Sequence, residues 1–265
     1  YEDTSKGRTY YFAGNPTDNW VQFGGFYWRI IRINEDGTIR MIYQGTSANT
    51  VGSNTQIGQL VFNSVSTDNA YVGYMYQNNQ LHGLQESSTI KGALDQWYQN
   101  NLTGVSDKID ESAGFCGDRT PTSGTGIGTT LTYYGGYTRL YGSRIPTFEC
   151  SSNNDLYTTS GSSQGNKALT YPIGLISADE VVYAGGSLYS SNNSYYLYTG
   201  QTYWTISPSH FDNGWAYVFQ VDPNGSLYGI SYVFNNFGIR PVINLKADVK
   251  ITGGNGTSTN PYIVN

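Results

Sequence analysis

The chain has 265 residues, only 12% of them charged, and a formal net charge of −5 at pH 7. This balance argues against a nucleic-acid partner, because phosphate-backbone binding needs clustered Lys and Arg and the sequence has no basic run. No apolar stretch approaches the ~20 residues needed to cross a bilayer, so we expect any signal peptide or membrane anchor to lie outside this chain.

Neutral polar residues replace the missing charge: the chain has 33 Gly and 25 Tyr and is also rich in Ser, Thr and Asn. Such a composition is common outside the cell, where neutral hydrogen-bonding side chains solvate the surface. Aromatic residues make up 15% of the chain, which argues against disorder. We therefore expect a folded extracellular protein at the cell surface.

The first third of the chain predicts strands. Short aromatic and β-branched runs occupy residues 9–12 and 19–23, and a longer run occupies residues 26–33. Residues 34–37 then form a turn that ends in Asp-Gly, and a further β-prone run follows at 38–43. Two such runs around an Asp-Gly turn indicate a β-hairpin.

A first helix is predicted over residues 89–100, because its large apolar residues recur on one helical face. These residues are Ile90, Leu94, Trp97 and Tyr98. Ser87 or Ser88 can cap the start of this helix, and Gly104 lies past its end.

A second, shorter helix is predicted to start at Ser177. Glu180 follows three residues later, which is the spacing of a capping box. The apolar residues 181–183 come next, and Gly185 and Gly186 end the helix.

Residues 121–130 and 151–164, both rich in Gly, Ser and Thr, are predicted to be long loops. Cys116 and Cys150 fit no structural zinc pattern, and we expect a disulfide between them. Such a bridge contributes about 3–4 kcal/mol in the chain-entropy model and indicates an oxidising compartment. Two buried free thiols are the alternative.

The last part of the chain returns to strands, predicted over residues 203–206, 215–221, 226–228, 238–245 and 262–264. A turn rich in Asp, Pro, Asn and Gly separates the second and third of them. Strands at both ends with two helices between them predict an α+β domain whose terminal strands can pair.

Four short segments carry a resemblance to a known fold. They are Trp-Thr-Ile-Ser-Pro at 204–208, Ala-Tyr-Val at 216–218, Asn-Gly at 224–225 and Gly-Ile-Arg-Pro-Val at 238–242. Over roughly residues 170–246 the chain resembles the C-terminal half of C-type-lectin-fold proteins of the formylglycine-generating-enzyme type. The resemblance implies a single C-type-lectin-like ligand-binding domain over residues 1–265, with short antiparallel strands, two helices and long Gly/Ser/Tyr-rich loops.

Within that fold class the chain is similar to the variable proteins of diversity-generating retroelements. In that family a C-terminal segment is rewritten at adenine-containing codons, and the variable side chains cluster on one exposed face of a rigid scaffold. Residues 210–213 and 228–237 consist almost wholly of the residue types that such rewriting produces. We carry over neither the cysteine-dependent oxidase activity nor calcium-dependent sugar binding, because the pattern of such lectins is missing and the two cysteines are interpreted as a bridge.

Side-chain physics favours the same region as a binding face. Tyr presents a large, stiff, amphipathic surface, and Ser, Gly and Asn add adaptable hydrogen bonds, as in antibody paratopes. The competing interpretation is that such chains are Tyr-rich throughout, since residues 133–141 and 183–203 are Tyr-rich as well. The predicted ligand-binding residues are Tyr203, His210, Phe211, Asp212, Asn213, Trp215, Tyr228, Ser231, Tyr232, Phe234, Asn236 and Phe237.

Few residues occur in patterns typical of catalytic sites, and we expect no catalysis. His82 has no partner at a recognisable spacing, and His210 is expected in a loop, where neighbours such as Ser209 and Asp212 rarely converge as a triad does.

The remaining charged residues have structural interpretations. Asp118 and Arg119 are expected to form a salt bridge or a loop anchor, and Arg240 is expected to be buried and hydrogen-bonded. Capping and the helix dipole explain Asp179 and Glu180 better than metal binding does. No metal or cofactor is expected, and structural calcium in the Gly-rich turns stays open.

Two functions of different class follow. The first is a surface-displayed adhesin or receptor-binding module that binds a protein or glycan ligand on another cell or on a phage or host surface. The alternative is the head domain of a pilin-like or surface-layer subunit, whose aromatic surface packs between subunits.

Overall fold

The structure is a computed structural model that describes residues 1–3 and 7–265. In this part of the chain the strands are β1 (Glu2–Asp3), β2 (Gly7–Arg8), β3 (Tyr10–Tyr11), β4 (Trp20–Phe23), β5 (Phe26–Ile33), β6 (Ile39–Gly45), β7 (Gln59–Val61), β8 (Met75–Tyr76), β9 (Glu86–Ser87), β10 (Phe115–Cys116), β11 (Pro121–Ser123), β12 (Thr132–Tyr134), β13 (Leu156–Tyr157), β14 (Tyr203–Asp212), β15 (Trp215–Val221), β16 (Leu227–Tyr232), β17 (Asn236–Gly238), β18 (Val242–Leu245), β19 (Ile251–Gly253) and β20 (Tyr262–Val264). The α-helices are α1 (Thr89–Asn101), α2 (Gly135–Thr138) and α3 (Ala178–Ala184).

Short strands, most of them antiparallel, together with a few short helices confirm the α+β class. Both predicted helices form, and the sequence missed the single turn of α2, which continues into a π-helical turn over Arg139–Ser143. None of the helices in the described part of the chain has the length and apolarity needed to span a membrane.

The two predicted helix starts are confirmed by their caps. The Ser88 hydroxyl accepts a hydrogen bond from the backbone N–H of Lys91 at the start of α1. At the start of α3, Ser177 and Glu180 form the complete capping box. The expected end of the first helix is confirmed to within one residue, since α1 ends at Asn101 and Gly104 lies past it, in a 3-10 turn over Thr103–Lys108.

The first sheet joins the two ends of the chain. Its strand order is β18-β6-β5-β4-β20-β19, and β3 pairs with β5. The predicted hairpin is confirmed, with Ile33 of β5 opposite Ile39 of β6 across the Asp-Gly turn. The last strand, β20, runs parallel to β4, so the terminal strands do pair.

The second sheet carries the candidate site. Its main path is β11-β12-β14-β15-β16, and β17 links β14 to β7. Strands β14 and β15 form a hairpin whose two turn residues, Asn213 and Gly214, have φ values of 50° and 81°. Positive φ at both positions is the mark of a type I′ turn, whose twist matches that of the flanking strands.

Three expectations about irregular segments were wrong. Strand β14 runs to Asp212, so His210 lies in a strand, and a register shift at Pro208 accommodates the missing N–H. Residues 121–130 are not one loop, because β11 pairs with β12. Within residues 151–164, β13 pairs with β10. Pairing between strands, which the composition of a single segment does not report, orders these segments.

One buried hydrophobic cluster contains residues of both sheets, among them Trp28 of β5 and Trp204 of β14. The predicted disulfide between Cys116 and Cys150 is present, with the two Cα atoms 5.5 Å apart. Arg240 is buried as expected and donates hydrogen bonds to the carbonyls of Tyr43 and Leu197.

Candidate ligand-binding surface

Most of the predicted ligand-binding residues reach the surface of the second sheet. The exposed fraction is 40% for Trp215, 36% for Tyr232 and 40% for Phe234. Asn213 and Asn236 are also exposed, and three more are half-buried: Asp212, Tyr228 and Phe237.

Four of the predicted residues are buried, which corrects their assignment to an exposed face. Tyr203, Phe211 and Ser231 are at most 2% exposed, and His210 is 7% exposed. Successive strand residues point to opposite faces of a sheet, so a contiguous run includes core-facing positions such as Phe211 and Ser231. In β16, for example, Ser231 is buried while both of its neighbours are exposed. His210 lies on the opposite face from Phe211 and is covered by the rings of Tyr133, Tyr137 and Tyr217.

Tyr203 has a structural role at the start of β14. Its hydroxyl donates a hydrogen bond to the carbonyl of Leu197 at 2.8 Å, and the guanidinium of Arg240 lies over its ring, 4.8 Å from the centroid. Tyr203 therefore anchors the sheet to the core and has no surface to offer a ligand.

The exposed rings belong to a longer row, here called the aromatic strip. In this row each ring centroid lies between 4.1 and 5.9 Å from that of a neighbouring ring. The strip consists of Tyr133, Tyr137, Tyr141, Tyr189, His210, Trp215, Tyr217, Tyr228, Tyr232 and Phe234.

One end of the strip, the exposed end, is formed by Trp215, Tyr232 and Phe234. Tyr232 and Phe234 stack with an interplanar angle of 13°, and the Trp215 ring meets both of them edge-on. Cross-strand pairing of Tyr232 with Tyr217 fixes the position of this group. The exposed rings are thus held by one another and by the sheet.

The middle of the strip is the stack of His210 on Tyr217, whose centroids are 4.2 Å apart. Burial lowers the pKa of His210 to about 4, so its imidazole is neutral at pH 7. Burial also raises the pKa of Tyr189 to about 12 and raises that of Tyr217. The strip contains no Asp, Glu, Lys or Arg, and it is therefore uncharged near neutral pH.

The other end of the strip, the pocket end, was missed by the sequence. Tyr133 comes from β12, and α2 with the π-helical turn places Tyr137 and Tyr141 four residues apart on one face. The last two rings stack at 4.1 Å. They border a hollow of about 440 Å³ lined by Thr122, Ser123, Tyr133, Tyr137, Thr138, Tyr141 and Gly142. The Tyr-rich composition of residues 133–141 was the one feature of the sequence that could have pointed to these rings.

Ser209 and His210 do come together, since the Ser209 hydroxyl lies 2.9 Å from Nδ1 of His210. Ser209 is fully buried, however, so a substrate has no access to its hydroxyl. The pair fixes the imidazole within the strip.

A second concave region, here called the charged cleft, lies beside the disulfide. Its volume is about 90 Å³. Glu180 pairs there with Arg32 at 3.0 Å and with Arg40 at 2.5 Å. Arg139 pairs with Asp118 at 2.8 Å and with Asp179 at 2.7 Å. These charges neutralise one another, which suits a structural network between helix α3 and the sheets.

The pKa shifts in the charged cleft follow from this pairing. Burial raises the pKa of Asp118 although Arg139 opposes it. Burial also acts to raise the pKa of Glu180, but Arg40 and Arg32 outweigh it and the pKa is lowered. Asp118 and Arg119 each form a salt bridge, but not with each other, because Asp118 pairs with Arg139 and Arg119 pairs with Asp155.

His82 and Arg119 meet at one carboxylate that the sequence did not connect with them. Nδ1 of His82 lies 2.9 Å from Asp155, and Nε of Arg119 lies 3.1 Å from the same carboxylate. Asp155 is fully buried and follows His82 by 73 residues, a separation that no spacing rule reveals.

Within residues 1–3 and 7–265, no group of three or more His, Cys, Asp or Glu side chains is arranged to hold a metal ion. Comparisons with protein-family models, with curated proteins and with solved structures find no match for this chain.

Proposed function

We propose that this chain is an extracellular, surface-displayed binding protein, an adhesin or receptor-binding module that uses the aromatic strip to bind a protein or glycan ligand. The observation that carries the proposal is the exposed end, where Trp215, Tyr232 and Phe234 lie in mutual contact while each remains 36–40% exposed. Contiguous exposed apolar surface of this kind is typical of interaction sites.

Preorganisation supports the proposal. A ring that is already held by its neighbours loses little conformational entropy on binding, and this entropy is one of the main costs of association. Tyr232 is held by β-sheet pairing and by stacking on Phe234, and Trp215 begins the strand next to it. The exposed end therefore combines a large contact area with a low ordering cost.

The C-type-lectin fold and the role of a variable protein are part of the same proposal. They are supported by the placement of Asn213, Trp215, Tyr232, Phe234 and Asn236, which all lie at exposed positions; around Tyr232 and Phe234 the exposed residues alternate with the buried Ser231 and Val233. The disulfide supports an oxidising, extracellular location. No catalysis is proposed.

The alternative is the head domain of a pilin-like or surface-layer subunit. It is favoured by β16, which ends the main path of the second sheet and carries Ile230, 46% exposed, beside the strip. An edge strand with exposed apolar residues can pair with another chain. In that case the same surface packs between copies of the chain.

A binding experiment tests the proposal. Fluorescently labelled wild-type chain is added to a panel of intact bacterial cells and phage particles, and binding is measured by flow cytometry. The variant Trp215→Ala/Tyr232→Ala should bind at least about tenfold more weakly, because central aromatic anchors dominate binding energy. Tyr10→Ala is the matched control, since Tyr10 is 61% exposed on the first sheet.

Equal binding by the wild type and the double variant, or no binding to any target, would count against the proposal. Light scattering distinguishes the alternative, a subunit that packs against copies of itself, from the proposed ligand-binding role. Concentration-dependent polymers that disappear in the double variant, with target binding unchanged, support the subunit role.

Comparison of the locus across strains tests the variable-protein role. Substitutions should concentrate at the exposed positions between 203 and 237, while Tyr203, Phe211 and Ser231 stay constant because they face the core. Substitutions that are spread evenly over buried and exposed positions would contradict that role.

A further inference from the structure

We propose that the pocket end of the aromatic strip is a subsite for a neutral sugar ring, so that the ligand is a neutral glycan. This inference rests on the proposed binding function and names its ligand class.

The wall of the pocket suits the apolar face of a sugar. Tyr137 and Tyr141 stack with an interplanar angle of 25°, and Tyr133 tilts against Tyr137 at 4.7 Å. A pyranose ring presents C–H groups on its faces and hydroxyl groups around its edge. An aromatic wall removes the C–H face from water without requiring the hydroxyls to give up their hydrogen bonds.

The hydroxyls beside the wall offer an acceptor. Thr122 donates its hydroxyl proton to the carbonyl of Tyr133 at 3.1 Å. The hydroxyl of Thr138 is also in hydrogen-bond contact with that of Thr122. Because the Thr122 proton is already used, Thr138 must donate to Thr122, which leaves lone pairs of the Thr138 oxygen able to accept.

That acceptor favours a sugar over an aliphatic protein side chain. Thr138 is exposed in the free protein, so water can satisfy its oxygen. A leucine-like side chain in the pocket would displace this water and leave a buried acceptor without a partner, which is costly. A sugar hydroxyl can replace the water and donate to Thr138.

The charge of the region favours a neutral sugar. None of the residues that line the pocket is Asp, Glu, Lys or Arg. A neighbouring hollow shares Thr122, Thr138 and Gly142 with it, and the charges there, on Arg139 and Asp118, pair with each other at 2.8 Å. Neither lining therefore offers an unpaired cation to the carboxylate of a uronic or sialic acid. The second hollow also has room for another sugar unit.

Isothermal titration calorimetry with defined hexasaccharides tests the inference. The neutral probes are β-1,4-glucan, β-1,3-glucan, α-1,4-glucan, β-1,4-mannan and chitin hexasaccharides, and hexagalacturonate is the acidic counterpart. At least one neutral probe should bind, and hexagalacturonate should bind at least about tenfold more weakly.

Three variants localise the site. Tyr141→Ala should weaken binding of that probe about tenfold or more, as expected for an aromatic anchor. Thr138→Val, which keeps the side-chain shape and removes the acceptor, should weaken it about three- to tenfold. Tyr10→Ala should leave it unchanged. Failure of every neutral probe to bind at millimolar concentration, or unchanged binding by both pocket variants, would overturn the inference.

Treatment of target cells separates this inference from the proposed function. Periodate cleaves vicinal diols of glycans, whereas protease removes surface proteins. Strip-dependent cell binding that is lost after periodate and kept after protease supports a glycan ligand, and the comparison with hexagalacturonate tests whether that glycan is neutral. Strip-dependent binding that is lost only after protease overturns the glycan assignment and leaves the binding function standing. Cell binding that does not depend on the aromatic strip would contradict the proposed function itself.

Discussion

Replacement of Cys116 and Cys150 by serine should lower the free energy of unfolding by about 4 kcal/mol. The bridge joins residues 34 positions apart, and it therefore closes a loop of that size in the unfolded chain. In the chain-entropy model a loop of this length removes roughly 13 cal/mol/K from the unfolded ensemble, which is about 4 kcal/mol at 25 °C. The loop contains β11, β12 and α2, so the bridge also restrains the segment that builds the pocket end.

Urea unfolding, followed by tryptophan fluorescence, measures this effect. The double variant Cys116→Ser/Cys150→Ser is compared with the oxidised wild type, and the wild type reduced with dithiothreitol is the matched control because it keeps both sulfur atoms. Both should unfold at clearly lower urea concentrations, by similar amounts. A loss below about 1 kcal/mol in both samples would refute the loop-closure argument.

Three further predictions concern single side chains. Glu180→Gln should cost about 3 kcal/mol or more in urea unfolding, because it breaks a buried ion pair with Arg40. The pKa of Glu180 is lowered in the folded state, so its contribution should be present above the ordinary carboxyl range and should fade as pH falls through the lowered value. Gly225→Ala should lower stability by about 1–3 kcal/mol, since φ is 79° there and an added Cβ would lie 1.8 Å from the carbonyl oxygen of Asn192. An NMR titration of His210 should give a pKa of about 4, because burial disfavours the charged imidazole. The free energy of unfolding should accordingly fall as the pH drops below 6.5. A titration midpoint near 6.5 would show that the stack with Tyr217 does not shield the ring.

Local signals in the sequence predicted a large part of the fold. The Asp-Gly turn predicted the hairpin of β5 and β6, and the spacing of apolar residues predicted α1. Ser177 and Glu180 predicted the start of α3 because a capping box is complete within four residues. In each of these elements, the interactions that decide the structure lie within one short segment.

Contacts between distant segments could not be predicted in the same way. The strand around His210 pairs with β12, which lies more than 70 residues earlier in the chain. Its pairing with β15 is a local hairpin, and the Asn-Gly turn at 213–214 was a short-range signal for that hairpin, which the prediction of a loop overlooked. The pocket end depends on Tyr133 and Tyr137 meeting His210, which lies more than 70 residues further along the chain. Sequence composition indicates that such rings are present but does not indicate which strands bring them together.

The wrong assignment of face follows from strands that were predicted too short. The period of two along a strand places Phe211 and Ser231 toward the core, but the predicted strands ended at residues 206 and 228 and left both residues outside them. Tyr203 lies within a predicted strand, but its packing against Arg240, which belongs to another segment, could not be predicted from the sequence.

Site-specific photo-crosslinking tests most directly whether the aromatic strip contacts the ligand. Tyr232 is replaced by p-benzoylphenylalanine, and in a second protein the same group replaces Ile251, which is 54% exposed on β19 of the first sheet. Irradiation on target cells should give crosslinked adducts from position 232 and only background from position 251. Adducts from position 251 with none from position 232 would contradict a ligand-binding role for the strip.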